Sequence, residues 1–229
     1  MPTHDLNVTA VRALNEALHR LPPDTNETFW EIENPQGKHA IGVGIDAPVD
    51  VEINGHVGYY CGGMNKQARL RIHGNAGTGV AENMMSGLVH VMGDASQSAG
   101  ATGCGGLLII DGDAAARCGI SMKGIDILVK GSIGAMSAFM AQAGSLVVLG
   151  HAGDALGDSI YEASIFVRGD VKSLGTDCIE KPMTPEDRAR LADVLRRGGL
   201  NGEAKIDDFR MYGSARRLYH FHIDNIASY

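Results

Sequence analysis

The chain has 229 residues, of which 44% are hydrophobic and only 5% aromatic, and its formal net charge is -7. That length is enough for one large domain with decorations. An acidic chain without a Lys/Arg run lacks the phosphate-neutralising patch that nucleic-acid binding requires.

Residues 1–7 are polar and acidic and contain no apolar stretch, so no signal peptide is expected. Residues 8–21 read as an amphipathic helix, with Val11, Leu14, Leu18 and Leu21 on one face and Pro22 ending it. Such a helix suits a cap over the open end of a stacked β structure. Residues 1–29 are therefore assigned to a cap, 30–178 to the repetitive body and 179–229 to a C-terminal helix and tail. Within the body, Trp30 to Pro48 is expected to form an irregular first coil, out of register with the rest.

From there a period of 19 residues takes over, marked by Gly55, Gly74, Gly93, Gly112, Gly131, Gly150 and Gly169. Two residues before each glycine stand Ile53, Ile72, Val91, Ile110, Val129, Val148 and Val167. Four before stand Val51, Leu70, Val89, Leu108, Ile127, Leu146 and Ile165. This alternation gives each repeat a short strand with one face inward. Further glycines recur three residues on (Gly58, Gly77, Gly134, Gly153) and seven on (Gly62, Gly100, Gly119, Gly157), as expected of corners that need φ > 0 or have no room for a Cβ. Between them an inward slot holds Val57, Ala76, Ala95, Ala114, Ile133, Ala152 and Val171, so the cross-section is narrow.

A fixed period without insertions marks a solenoid. One strand and two or three corners per repeat fit one coil of a right-handed parallel β-helix, an all-β fold with short helical flanks. Seven coils at about 4.8 Å each span roughly 34 Å. The segment Gly131 to Gly150 carries no charge but includes Gly, Ser and Gln and keeps the phase, so it reads as coil and not as a membrane span.

After Gly169 the glycine phase fails, with Lys172 and Thr176 in the later glycine positions. Thr184-Pro185-Glu186-Asp187 is an N-cap signature for a helix running to about Arg197, which Gly198-Gly199 stops. The tail from Lys205 to Tyr229 has no core of its own and is expected to lie on the body or on a partner.

The search for chemistry gives little. Gly74 to Gly79 resembles a phosphate loop, yet no helix pattern or Lys-Ser/Thr follows, and its glycines keep the repeat phase. His220 and His222 would share one side of a strand, with Asp224 beside them, but a metal site needs more ligands than a pair. His90 and His151 are isolated and read as structural or exposed. Met64, Met84, Met85, Met122, Met136 and Met140 cluster at corners, where flexible thioethers fill gaps, the alternative being a methionine-rich copper or partner surface. The carboxylates Asp50, Glu52, Asp111, Asp113, Asp154 and Asp158 are not matched across adjacent coils as an acid/base pair would be. Cys61 and Cys118 share a repeat position but lie roughly 14 Å apart, too far for a disulfide. Free thiols suit a cytoplasmic protein.

One outward ladder stands out. Three residues before each glycine come Glu52, Arg71, His90, Ile109, Leu128, Val147 and Phe166, polar in the first coils and apolar in the last four. With Leu88, Leu107 and Leu149 the apolar members form a stripe that must be covered. The cover is the C-terminal helix (Leu191, Val194, Leu195), another subunit, or each of them at different coils.

The stretches GNAGTGVAENMMSG (74–87), CGISMKG (118–124), SAFMAQAGSLVVLGHAGDALGDSIYEA (137–163) and IFVRGDVKSLGTD (165–177) resemble the GXGXG domain that closes the large subunit of glutamate synthase. The resemblance covers about residues 38–178. As a free-standing chain it is similar to the middle, GlxC-like subunit of N-methylglutamate synthase, with the β-helical subunit of formylmethanofuran dehydrogenase, or a glutamate synthase subunit, as the alternatives. The resemblance implies a non-catalytic scaffold in a complex that makes N-methylglutamate from methylamine and glutamate. Its partners would be a class II glutamine amidotransferase-like chain and an FMN-binding chain similar to the synthase domain of glutamate synthase, in which an iron–sulfur cluster is an optional second group. No catalytic, cofactor or metal residue carries over to this chain. The interface is then expected at Leu107, Ile109, Leu128, Val147, Leu149 and Phe166. A stand-alone enzyme using the barrel surface or His220/His222 is the remaining possibility.

Overall fold

The computed structural model describes residues 3–200 and 202–217, so His220, His222 and Asp224 lie outside the described residues. The described residues form one 11-stranded sheet. Its parallel part runs β1 (Thr3–Asp5), β2 (Phe29–Glu33), β3 (Asp50–Asn54), β4 (Arg69–Ile72), β5 (Leu88–Val91), β6 (Leu107–Ile110), β7 (Lys123–Val129), β8 (Ala143–Val148) and β9 (Ser164–Val167), each strand one coil beyond the last. The sequence repeat sets the register: Val51 pairs with Leu70, Leu70 with Val89, and so on to Leu146 with Ile165. Both inward positions of each strand are fully buried from β3 to β9. The slot of Val57, Ala76, Ala95, Ala114, Ile133, Ala152 and Val171 forms a second parallel ladder of single bridges. The fold is thus the expected parallel β-helix with short helical flanks.

The repeat glycines are set by close approach and not by a left-handed backbone. Only the first, Gly55, has a positive φ (+138°). At Gly150 an added Cβ would lie 2.5 Å from the carbonyl oxygen of Gly131, one coil below. The corner seven residues on is the left-handed one: Gly157 has φ +65°, and at the same phase Ala81 and Ala138 adopt φ +57°. The two reasons for a recurring glycine therefore fall at different phases of the coil.

Both ends depart from expectation. β2 is not out of register: Trp30 pairs with Val51 and Ile32 with Ile53, although these partners are 21 residues apart instead of 19. Trp30 and Ile32 both point inward and are buried, and a one-residue slip would turn them outward. The corners absorb the extra residues. β1 adds a further parallel strand inside the segment assigned to a cap, with His4 stacked on Trp30 at 4.7 Å between ring centroids. Helix α1 (Val11–His19) is shorter than the 8–21 expected and buries Leu14 and Leu18 in the main core. It closes the first corner through Asn15, which donates to the Ala40 carbonyl (2.7 Å) and accepts from the Gly42 N–H (3.0 Å).

At the other end the tail enters the sheet. β10 (Cys178–Lys181) leaves the parallel stack, and β11 (Arg210–Ser214) runs antiparallel between β9 and β10. The last coil's exposed edge is thereby paired by the chain itself. Between β10 and β11 lies helix α2 (Pro185–Arg197), started by the Thr184–Asp187 capping box and ended by Gly198, as the sequence indicates.

Candidate functional surfaces

The apolar stripe is covered from within the chain. Leu107, Ile109, Leu128, Val147 and Phe166 form a second core with Leu191, Val194 and Leu195 of α2 and with Leu200, Phe209 and Met211 beyond it. Leu149 is half-buried at its edge, packed against the same cluster. Of the two covers open to the sequence, the structure has the C-terminal helix. The six residues expected to form a partner interface are a floor for α2. Leu128→Asp with Val147→Asp would therefore place two carboxylates under α2 and loosen it, which is no clean test of partner binding. Polar contacts frame the helix: Arg197 pairs with Asp126 at 2.7 Å, and Arg190 donates to Ser164 Oγ at 3.1 Å.

The first coils leave the same sheet face open, and charge pairs cross it from coil to coil. Arg69 grips Asp50 through two 2.7 Å hydrogen bonds, Glu52 takes Arg71 and His73, and Asp111 takes His90 (2.9 Å) and Lys130 (2.7 Å). The Arg69 hydrogen bonds hold the Asp50 carboxyl below its usual range. Partial burial would raise Asp111, but hydrogen bonds from Lys130 and His90 outweigh it and hold that carboxyl low as well. Asp154 is lowered by Lys172. Asp158 accepts from the Thr176 N–H and Ser159 Oγ. The lowered carboxyls of Asp50, Asp111 and Asp154 are not set up as proton donors near neutrality, which would need the opposite shift. Glu82 is raised by desolvation, the direction a general acid needs.

A ladder that sequence reasoning missed runs along the next corner. His56, Asn75, Asp94, Asp113, Ser132 and His151 each accept, through a side-chain atom, the backbone N–H of the equivalent residue one coil on, at 2.7–3.0 Å. The signal was present: every residue after a repeat glycine carries a side-chain acceptor. His151 and Asp113 are thus bonded parts of the frame. Gly74 to Gly79 cannot cradle phosphate, since the N–H groups of Asn75, Ala76, Gly77 and Gly79 already bond neighbouring coils.

Met84 and Met122 fill the core, whereas Met64 and Met85 are exposed. Cys61, Cys118 and Cys178 are buried, and desolvation pushes each thiol up to about 12; Cys104 is exposed. Among the described residues no group of three His, Cys, Asp or Glu side chains is placed to hold a metal ion, and no helix is long and apolar enough to cross a membrane.

These features define a parallel β-helical solenoid whose first coil packs against α1, whose last parallel strand is paired by β11, and which carries its own helical cover. No family model matches the chain. It is 59% identical to Protein GlxC of Rhizobium meliloti (strain 1021) over 229 residues, the full length of both chains. The chain belongs to the GlxC family.

Proposed function

We propose that this chain is a non-catalytic structural subunit of a glutamate synthase-like complex, with the β-helix acting as the GXGXG module of that enzyme. The more specific reading is the middle subunit of a cytoplasmic N-methylglutamate synthase. Its partners are then a class II amidotransferase-like chain and an FMN-binding synthase-like chain, and the product is N-methylglutamate from methylamine and glutamate. FMN, and any iron–sulfur cluster, belong to the partners.

The observation that carries this reading is the identity to GlxC over the whole of both chains. The carboxylates considered for catalysis are bonded to neighbouring coils, which is what a rigid spacer requires. On this reading the partners dock on a surface other than the apolar stripe, which α2 covers.

A tagged pull-down of the full chain from its native cell extract, with mass spectrometry and a visible spectrum, tests the reading. Co-elution of an amidotransferase-like chain and a flavin-yellow partner is expected. Co-elution of molybdenum- or tungsten-containing partners would favour the formylmethanofuran dehydrogenase alternative, and a lone colourless chain would refute the scaffold role.

A further inference from the structure

Where α2, β10 and β11 fold back on the last coils they enclose a cleft of about 390 Å³. It has no counterpart in the repeat, because only this end of the solenoid has a helix and an antiparallel strand meeting the coil. Its walls include Lys181 from the end of β10, Arg190 from the second turn of α2 and Arg216 just after β11.

The charges in the cleft are unevenly matched. Arg216 pairs with Glu162 at 2.7 Å. Asp187 accepts from the Thr184 N–H (2.9 Å) and hydroxyl (2.7 Å), so the start of α2 is already capped by its own residue. Arg190 and Lys181 have no carboxylate partner among the described residues. Arg190 donates once, to Ser164 Oγ, and Lys181 reaches only the Ser214 carbonyl, at 3.4 Å. A guanidinium has five N–H donors and an ammonium three, so most of the donors on these two cleft-lining residues have no protein acceptor among the described residues. The remaining carboxylate of the cleft, Glu186, is exposed, as is Arg190. Ser164 is buried beside them, and Met211 gives an apolar wall.

We propose that this cleft binds a small anion through Arg190 and Lys181, with carboxylate or phosphate oxygens as the recognised group. Arg190 offers a planar fork that matches either oxyanion, and its contact with Ser164 fixes the fork's orientation. Lys181 supplies a second, movable charge from the end of β10. The volume lies in the range of small-molecule sites. The inference is independent of the subunit reading, since it concerns a cleft built wholly from residues of this chain.

The test is thermal unfolding of the full chain in sodium succinate, inorganic phosphate, or sodium chloride of equal ionic strength. For a dissociation constant near 1 mM, about 20 mM ligand raises the folded-to-unfolded ratio by roughly 20-fold, a shift of several degrees. The shift is expected in wild type and in Lys172→Gln, an exposed lysine outside the cleft, and is expected to be lost in Arg190→Gln and in Lys181→Gln. Succinate alone acting identifies a carboxylate ligand, phosphate alone a phosphate-bearing one, and both acting supports the shared oxyanion chemistry. Absence of any shift beyond chloride overturns the proposal. So does a shift that survives both substitutions, because general salt exclusion stabilises every variant alike.

Discussion

Gly198 lies directly over Leu128: a Cβ on the glycine would collide with Leu128 Cδ2 and stand 3.5 Å from its Cγ. The end of α2 is thereby pressed onto the apolar stripe at a point where no side chain fits between. Gly198 has an ordinary φ of -81°, so its identity is a packing requirement and not a backbone one. Gly198→Ala should cost about 1–3 kcal/mol by overpacking, and Leu128→Ala about 2–5 kcal/mol by leaving a cavity. In the double variant the new methyl occupies the space the leucine leaves. The two costs should therefore fall short of additivity by about 0.5 kcal/mol or more, measured by denaturant unfolding. Additive costs would mean that the two residues do not touch.

The two kinds of glycine should respond differently to alanine. At Gly150 the added Cβ meets the Gly131 carbonyl oxygen at 2.5 Å and its carbonyl carbon at 2.6 Å, backbone that cannot rotate away. Gly150→Ala should pry two coils apart and cost about 3 kcal/mol or more. Gly199 has φ +81° and nothing within 4 Å of its Cβ position, so Gly199→Ala should cost only the left-handed penalty of about 1–2 kcal/mol. Equal losses in chemical denaturation would contradict the assignment of close approach to the repeat glycines.

The body of the fold was legible because a solenoid writes each contact many times. Val51, Leu70 and Val89 share one environment, so the in-out pattern of one coil checks the next. The ends were harder because each of their contacts occurs once. Trp30 and Ile32 keep register with Val51 and Ile53 across a 21-residue coil, which a search at fixed period cannot see. Met211 and Tyr212 are buried against β9 and β10 with an antiparallel pairing that no local pattern encodes. The apolar stripe was found, but whether Leu191, Val194 and Leu195 or a foreign surface covered it depended on where the chain turns after Lys181. The acceptor ladder from His56 to His151 was missed because its members are chemically diverse and share only the ability to accept a hydrogen bond.

Acid should weaken the charged sheet face in a defined direction. Asp111 is held below its ordinary value of 3.8 by Lys130 and His90, against a partial burial that acts the other way. A carboxyl with a lowered folded-state pKa stabilises the fold at pH above its unfolded value, and that contribution is lost as pH falls through the folded value. The Asp111 contribution is thus complete above about pH 4–5 and disappears below that range. Asp111→Asn should lower the unfolding midpoint near neutrality and lose less of it than wild type between about pH 6 and pH 3. Parallel midpoint-versus-pH curves for the two proteins would show that Asp111 carries no such linkage.

The four cysteines should separate cleanly by reactivity. The thiolate is the reacting form, and burial that pushes Cys61, Cys118 and Cys178 up to about 12 leaves almost none of it at about pH 8. Cys104 is exposed at a corner, its thiol touching only the Thr102 carbonyl at 3.6 Å. A thiol reagent at about pH 8 should therefore modify one cysteine rapidly in the folded chain and all four after denaturation. Cys104→Ser should abolish the rapid phase and leave the slow one, whose rate then reports opening of the coils. Rapid modification of a second thiol would mean that one of the three buried sites is open in solution. Cys178 is the one to examine first, because it packs beneath the antiparallel closure and not between two regular coils.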